Sequence, residues 1–188
     1  MSGSTYHYWT RRSFLKASLV SAFALFGGPA WAQELTAASG PEGRVTLYNT
    51  HTHERLDVTY RTASGEYDVE ALSAIDQLLR CHYTNKATKM DVGVIEFVNA
   101  LDKRLGGGNE IHVISGFRSP EYNRLLRRTK RRVARNSLHQ YGKAIDLRMP
   151  GVDIREVRKT ALDLRYGGVG YYPRRGFIHV DSGQFRHW

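Results

Sequence analysis

The chain has 188 residues, with 28 lysines and arginines against 18 aspartates and glutamates, giving a formal net charge of +10; this is enough material for one ordinary domain and too little for two. Its 41% hydrophobic content and 11 tyrosines exclude an intrinsically disordered chain, and its glycine and proline show no fibrous period. The single cysteine, Cys81, excludes an internal disulfide and a paired-thiolate zinc site, so any metal must be held by His, Asp or Glu.

In chain order, Thr10-Arg11-Arg12-Ser13-Phe14-Leu15-Lys16 precedes a short apolar run, Leu19 to Phe26, and then Ala30-Trp31-Ala32. A basic region, an apolar region too short to span a bilayer and an Ala-x-Ala site make an export signal, and the paired arginines resemble a bacterial twin-arginine signal. Residues 1–32 are therefore expected to be a signal peptide cut before Gln33, delivering the protein to the periplasm or cell envelope with no stable membrane span. The segment contains Arg11, Arg12 and Lys16 and no acid, so most of the basicity belongs to the remainder. Residues 33–43 read as a flexible lead-in to one domain over 44–188.

Arg44 to Asn49 and Leu56 to Arg61 alternate β-formers around a polar turn and predict a hairpin. Asp68 and Asp91 are placed to cap two helices, one carrying Val69, Leu72, Ile75, Leu78 and Leu79, the other Val94, Ile95, Val98 and Leu101, the second stopped by Gly106-Gly107-Gly108. Ile111 to Ser115 predicts a strand, and Ser119-Pro120-Glu121 opens a helix to about Val133. Lys143 to Met149 is a further strand. Asp153 and Glu156 start a helix reaching about Tyr166, and Val169 to Tyr172 and Phe177 to Asp181 form a second hairpin. This mixture without βαβ alternation predicts an α+β fold, an antiparallel sheet flanked by helices.

The chemistry concentrates in Ser137-Leu138-His139-Gln140-Tyr141-Gly142-Lys143-Ala144-Ile145-Asp146 and Phe177-Ile178-His179-Val180-Asp181. Strand side chains alternate, so Asp146 faces away from Ile145 and Leu147, and His179 away from Ile178 and Val180. If those strands pair, Asp146 and His179 converge, and the preceding loop can bring His139 over the same point. Two imidazoles and one carboxylate leave one position of a tetrahedral zinc open, the composition of a catalytic site.

Together with Ser115-Gly116-Phe117-Arg118-Ser119, these motifs resemble the zinc D-Ala-D-Ala peptidase and Hedgehog-like family, and within it the YcbK/MepK-type murein endopeptidases that carry a twin-arginine signal. The resemblance implies that His139, Asp146 and His179 hold one zinc ion per chain. It implies that Arg118 steadies a tetrahedral oxyanion or a substrate carboxylate, and that the protein hydrolyses amide bonds in peptidoglycan cross-links by metal-activated water. Many members place an acidic base three residues before the last histidine or a second histidine two before it; here those positions are Gly176 and Phe177. Asp181 is then a candidate for the base or for orienting a ligating imidazole, and Asp146 is a further candidate for the base. The competing class is a non-catalytic zinc-containing module that binds peptidoglycan through the same fold.

Arg124, Arg127, Arg128, Lys130, Arg131, Arg132 and Arg135 crowd one helix and the loop after it, either as a solvated face or as a landing strip for anionic peptide stems. No aromatics interleave with them, which argues against nucleic acid as the partner. Tyr171 and Tyr172 line the cleft or fill the core. His51 and His53 sit in a turn remote from other ligands, Cys81 reads as a buried thiol on a helix, and Ser137 is placed to fix the turn that presents His139.

Overall fold

A computed structural model describes residues 41–129 and 133–188; the segment expected to be a signal peptide, most of the expected lead-in, and Lys130, Arg131 and Arg132 lie outside the described residues. The first hairpin forms as its alternation predicts. Strand β1 (Gly43–Asn49) buries Val45 and Leu47 on one face and pairs antiparallel with β2 (Arg55–Arg61). Helix α1 (Val69–Leu78) is capped by the Asp68 carboxylate, which accepts from the amides of Glu70 and Ala71. Helix α2 (Val92–Arg104) is capped by Asp91. Asp102, in its last turn, gathers the amides of Gly108 and Asn109 and so fixes the glycine turn, where Gly106, Gly107 and Gly108 all take positive φ.

Strand β3 (Glu110–Ser115) leads to helix α3 (Pro120–Thr129), whose start is held by Ser119 Oγ accepting from the Tyr122 amide with Pro120 in the first turn. Strand β4 (Ala144–Arg148), helix α4 (Ile154–Leu164) capped by Asp153, and strands β5 (Gly168–Tyr172), β6 (Phe177–Asp181) and β7 (Arg186–His187) complete the order. None of the helices among the described residues is long and apolar enough to cross a membrane.

The seven strands form one sheet in the order β2-β1-β3-β4-β6-β5-β7. The fold is α+β, and antiparallel pairing dominates it. Two junctions are parallel, β1 to β3 and β5 to β7. The first follows from its long crossover through α1 and α2, since parallel neighbours cannot be joined by a tight turn. A bulge between Val113 and Ser115 sets Ser115 opposite Asp146 on β4.

Ile111, Val113, Ile145, Leu147, Val169, Ile178 and Val180 are buried on the sheet and join one apolar cluster with Leu72, Ile75, Val94, Phe97, Val98, Leu101, Val157 and Ala161 from helices α1, α2 and α4. Asp146, His179 and Asp181 alternate with these residues along β4 and β6 and therefore project from the opposite face. Cys81 is buried, as expected, but lies in the turn after α1 rather than on it. Burial pushes its thiol up, and hydrogen bonds with Thr84 and Ser119 outweigh that and leave it below its ordinary value.

Phe97 on α2 is wholly inaccessible to solvent, so Phe97→Ala should lower unfolding free energy by about 3–5 kcal/mol through lost transfer energy and the cavity left behind. Urea titration followed by circular dichroism checks this.

Candidate metal centre

Strands β4 and β6 pair in a register that puts Asp146 directly opposite His179. His139 arrives from a 3-10 turn, Leu138–Tyr141, immediately before β4. That turn is closed by Gly142 at φ 65°, where a Cβ would stand 2.5 Å from the Lys89 carbonyl, so both handedness and space demand glycine. Ser137 makes no side-chain capping bond here; its carbonyl accepts from the Gln140 amide instead. The turn is also tied to the loop after β3, because the Arg118 amide donates to the His139 carbonyl at 3.0 Å.

The three side chains meet at atoms His139 Nε2, His179 Nδ1 and Asp146 Oδ1. The distances are 3.2 Å between the two nitrogens, 3.2 Å from His139 to Asp146 and 2.8 Å from His179 to Asp146. The second nitrogen of each ring is committed elsewhere. His139 Nδ1 lies 2.8 Å from the Gly116 carbonyl, which can only accept, so this nitrogen carries the proton. His179 Nε2 lies 2.9 Å from Asp181 Oδ2, an ionised acceptor, and donates to it. In their neutral forms both rings therefore present lone pairs inward, as does Asp146 Oδ1.

With both rings neutral, these three acceptors repel one another unless positive charge, a proton or a metal ion, lies between them. Ligands about 2.0–2.1 Å from a tetrahedral ion are about 3.3 Å apart, close to the separations found here. The donor set thus fits a divalent ion of the zinc type. Among the described residues, His139, Asp146 and His179 are the one group of His, Cys, Asp or Glu placed to share an ion.

The electrostatics agree. Burial opposes ionisation of Asp146, and His139 and His179 outweigh it, holding its carboxyl well below the usual carboxylate range. Burial depresses the His139 pKa. Burial also acts against protonated His179, but the carboxylates of Asp146 and Asp181 on its two nitrogens overcome it and raise its pKa. The cluster favours positive charge at its centre.

Arg118 flanks the cluster with Nη2 3.6 Å from Asp146 Oδ2. Its Nε is buried without a hydrogen-bond partner among the described residues. Asp181 stands on the far side of the His179 ring, with no exposed surface, and also receives both terminal nitrogens of Arg186 at 3.0 and 2.7 Å. Burial raises the Asp181 pKa, but His179 and Arg186 more than offset this and keep it depressed.

The structure thus gathers Arg118, His139, Asp146 and His179, with Asp181 behind them. It leaves His51 and His53 apart: His51 stacks on His82 at 3.8 Å and His53 bonds Tyr48. The Gly116 carbonyl and Arg186 are parts of the site that sequence reasoning missed; Gly116 carried a signal, since it sits in the motif Ser115-Gly116-Phe117-Arg118. A Cβ on Gly116 would lie 2.5 Å from the Leu79 carbonyl, so glycine lets this loop close on α1 while its own carbonyl reaches His139. Tyr171 packs against the core under Arg158, while Tyr172 stacks on Phe177.

Comparison with known proteins finds a family model described as peptidoglycan L,D-endopeptidase MepK matching residues 37–188. A Haemophilus influenzae protein named as a probable peptidoglycan L,D-endopeptidase MepK is 43% identical over 156 residues, covering 82% of this chain and 83% of that protein. The Escherichia coli and Shigella flexneri proteins named peptidoglycan L,D-endopeptidase MepK are each 38% identical over 151 residues, 80% of this chain and 82% of theirs.

Two outcomes are expected from the site's electrostatics. His139→Ala and Asp146→Ala should each purify without stoichiometric metal, read by elemental analysis. Because Asp146 and Asp181 hold depressed pKa values in the folded state, the stability they contribute is present above the unfolded carboxylate value of about 3.9 and drains away as pH falls toward their folded values. Metal-free Asp181→Asn should be less stable at pH 7 and show a shallower loss below about pH 4, by denaturant titration across pH.

Proposed function

The chain belongs to the peptidoglycan L,D-endopeptidase MepK family, and from that premise we propose that it is a zinc metallopeptidase, one ion per chain, hydrolysing L,D-amide bonds in peptidoglycan peptides. The observation that carries this reading is the trio of inward lone pairs at His139, Asp146 and His179, each imidazole locked by a hydrogen bond on its outer nitrogen. Two histidines and a carboxylate leave an open coordination position, as catalytic rather than structural zinc sites do. Bound there, zinc supplies Lewis acidity, polarising the scissile carbonyl and making water acidic enough to attack near pH 7.

The remaining work falls to this chain's own residues. The outer N–H groups of His139 and His179 are held by the Gly116 carbonyl and the Asp181 carboxylate, which turns the inward nitrogens toward the ion as neutral ligands. Arg118 keeps part of its side chain exposed beside Asp146; its guanidinium is there to meet a substrate carbonyl oxygen gathering charge in the transition state, or a stem carboxylate. Of the two roles open to Asp181, orientation fits better than proton acceptance, since a carboxylate with no exposed surface behind His179 has no path to a substrate.

Arg124, Arg127, Arg128 and Arg135 are exposed on α3 and the loop beyond it, on the segment that follows Arg118. They form a cationic approach for the carboxylates of peptide stems. The place of action is the periplasm or cell envelope, with the Arg11-Arg12 segment serving as a twin-arginine export signal.

Cross-linked murein sacculi incubated with the mature protein, with and without a chelator, test the reading. Chelator-sensitive conversion of dimeric to monomeric muropeptides, identified by mass, is expected. Unchanged muropeptides with zinc confirmed on the protein would overturn it in favour of a wall-binding module. In the same assay Arg118→Ala should retain zinc and lose about 100- to 1,000-fold in kcat, the range for removing a donor to a developing oxyanion.

A further inference from the structure

Two cross-sheet rows on the site face share a pattern. One reads Ala144, Asp181, Gly168, Arg186 from β4 through β6 and β5 to β7; the next reads Asp146, His179, Gly170. The chain beyond β7 continues the second row, because the Trp188 amide donates to the Val169 carbonyl and the Tyr171 amide donates to the Trp188 carbonyl. In each row a glycine on β5 separates a site residue on β6 from a large side chain at the sheet edge.

Those glycines are spaces in use. A Cβ on Gly168 would lie 2.5 Å from both Arg186 Nη1 and Asp181 Oδ2, and a Cβ on Gly170 would lie 2.8 Å from the Trp188 indole. Across the first gap Arg186 grips both oxygens of Asp181. Asp181 Oδ1 also receives the amides of Gly168 and Gly183, so the carboxylate cannot rotate and holds Oδ2 on His179 Nε2. Across the second gap the Trp188 ring lies 5.3 Å from the His179 ring, itself steadied by its Nε1–H donating to Tyr172 Oη at 2.9 Å.

We infer that Arg186 and Trp188 form a clamp reaching over Gly168 and Gly170 that sets the tautomer and ring plane of His179, and thereby the affinity of the centre for its ion. The inference rests on His179 being a ligand. Both are positioning residues: Arg186 acts through Asp181, and Trp188 acts through the His179 ring face. A ligand histidine whose outer N–H loses its fixed acceptor can rotate or switch tautomer, and losses of about 10- to 100-fold in metal affinity follow from such changes.

The test uses the full mature protein, zinc competition against a chromogenic chelator, and long-range 15N spectra of the histidine rings. Arg186→Gln should weaken zinc by about 10- to 100-fold and shift the His179 Nε2–H resonance while leaving the His139 ring signals in place. Arg186→Lys should recover part of the affinity, since it restores charge without the two-pronged fork. Gly170→Ala should weaken zinc in the presence of Trp188 and have no further effect once Trp188→Ala has emptied the space. This last pair keeps the clamp testable if Arg186→Gln does not fold.

Native zinc affinity and native His179 signals in Arg186→Gln would overturn the clamp. So would equal disturbance of the His139 and His179 rings, which marks general loosening, or strictly additive effects of Gly170→Ala and Trp188→Ala. Absence of zinc binding by the unmodified protein would overturn the metal reading itself, and the clamp with it.

Discussion

Three lone pairs aimed at one buried point are the constraint around which this fold is arranged. Atoms at His139, Asp146 and His179 that approach within 3.2 Å or less repel without a charge at their centre, and burying the Asp146 carboxylate adds desolvation to that cost. The arrangement persists because every participant is held from outside. Gly116 holds His139, Asp181 holds His179, and Asp181 is in turn saturated by two backbone amides and a guanidinium. The outer hydrogen bonds choose which nitrogen faces inward, and that choice gives the cluster the donor arrangement that a metal ion requires.

The sheet supplies the precision. Its alternation places Ile145, Leu147, Ile178 and Val180 in the core and Asp146, His179 and Asp181 on the other face, so the packing that stabilises the domain also fixes the ligand-bearing strands. Register does the rest, with Asp146 opposite His179 and Ala144 opposite Asp181. A one-residue slip between β4 and β6 would carry Asp146 or His179 to the apolar side. The third candidate ligand needs a loop, because His139 stands above the row rather than in it, and Gly142 closes the turn that puts it there.

How much of this was legible in the sequence followed from how local each determinant is. Asp68, Asp91 and Asp153 announced their helices because a cap acts within three residues. The convergence of Asp146 and His179 could be anticipated because strand periodicity is local and only the pairing had to be assumed. The parallel neighbours β1 and β3 were not legible, since nothing within either strand records which partner a long crossover will bring. Ser137 looked suited to a capping bond, yet the backbone of the turn satisfies itself and the hydroxyl makes none. Gly168 and Gly170 were visible as glycines, but their purpose depends on Arg186 and Trp188 two strands away from β6, and a one-dimensional pattern does not show which side chains a row will bring together.

The balance of charge explains why two arginines serve one small site differently. Asp146 and Asp181 bring two negative charges, Arg118 and Arg186 two positive ones, and the imidazoles that ligate must be neutral. Arg186 spends its fork on both oxygens of Asp181, so its charge is consumed in holding the scaffold. Arg118 makes a 3.6 Å approach to Asp146 and a long bond to Ser115 Oγ, and keeps Nε without an acceptor among the described residues. With the protein charges cancelling, the charge of a bound dication is left uncompensated at the cleft. An anionic substrate or a carbonyl oxygen gathering charge is what such a surplus would stabilise, and Arg118 stands beside Asp146 with part of its side chain exposed.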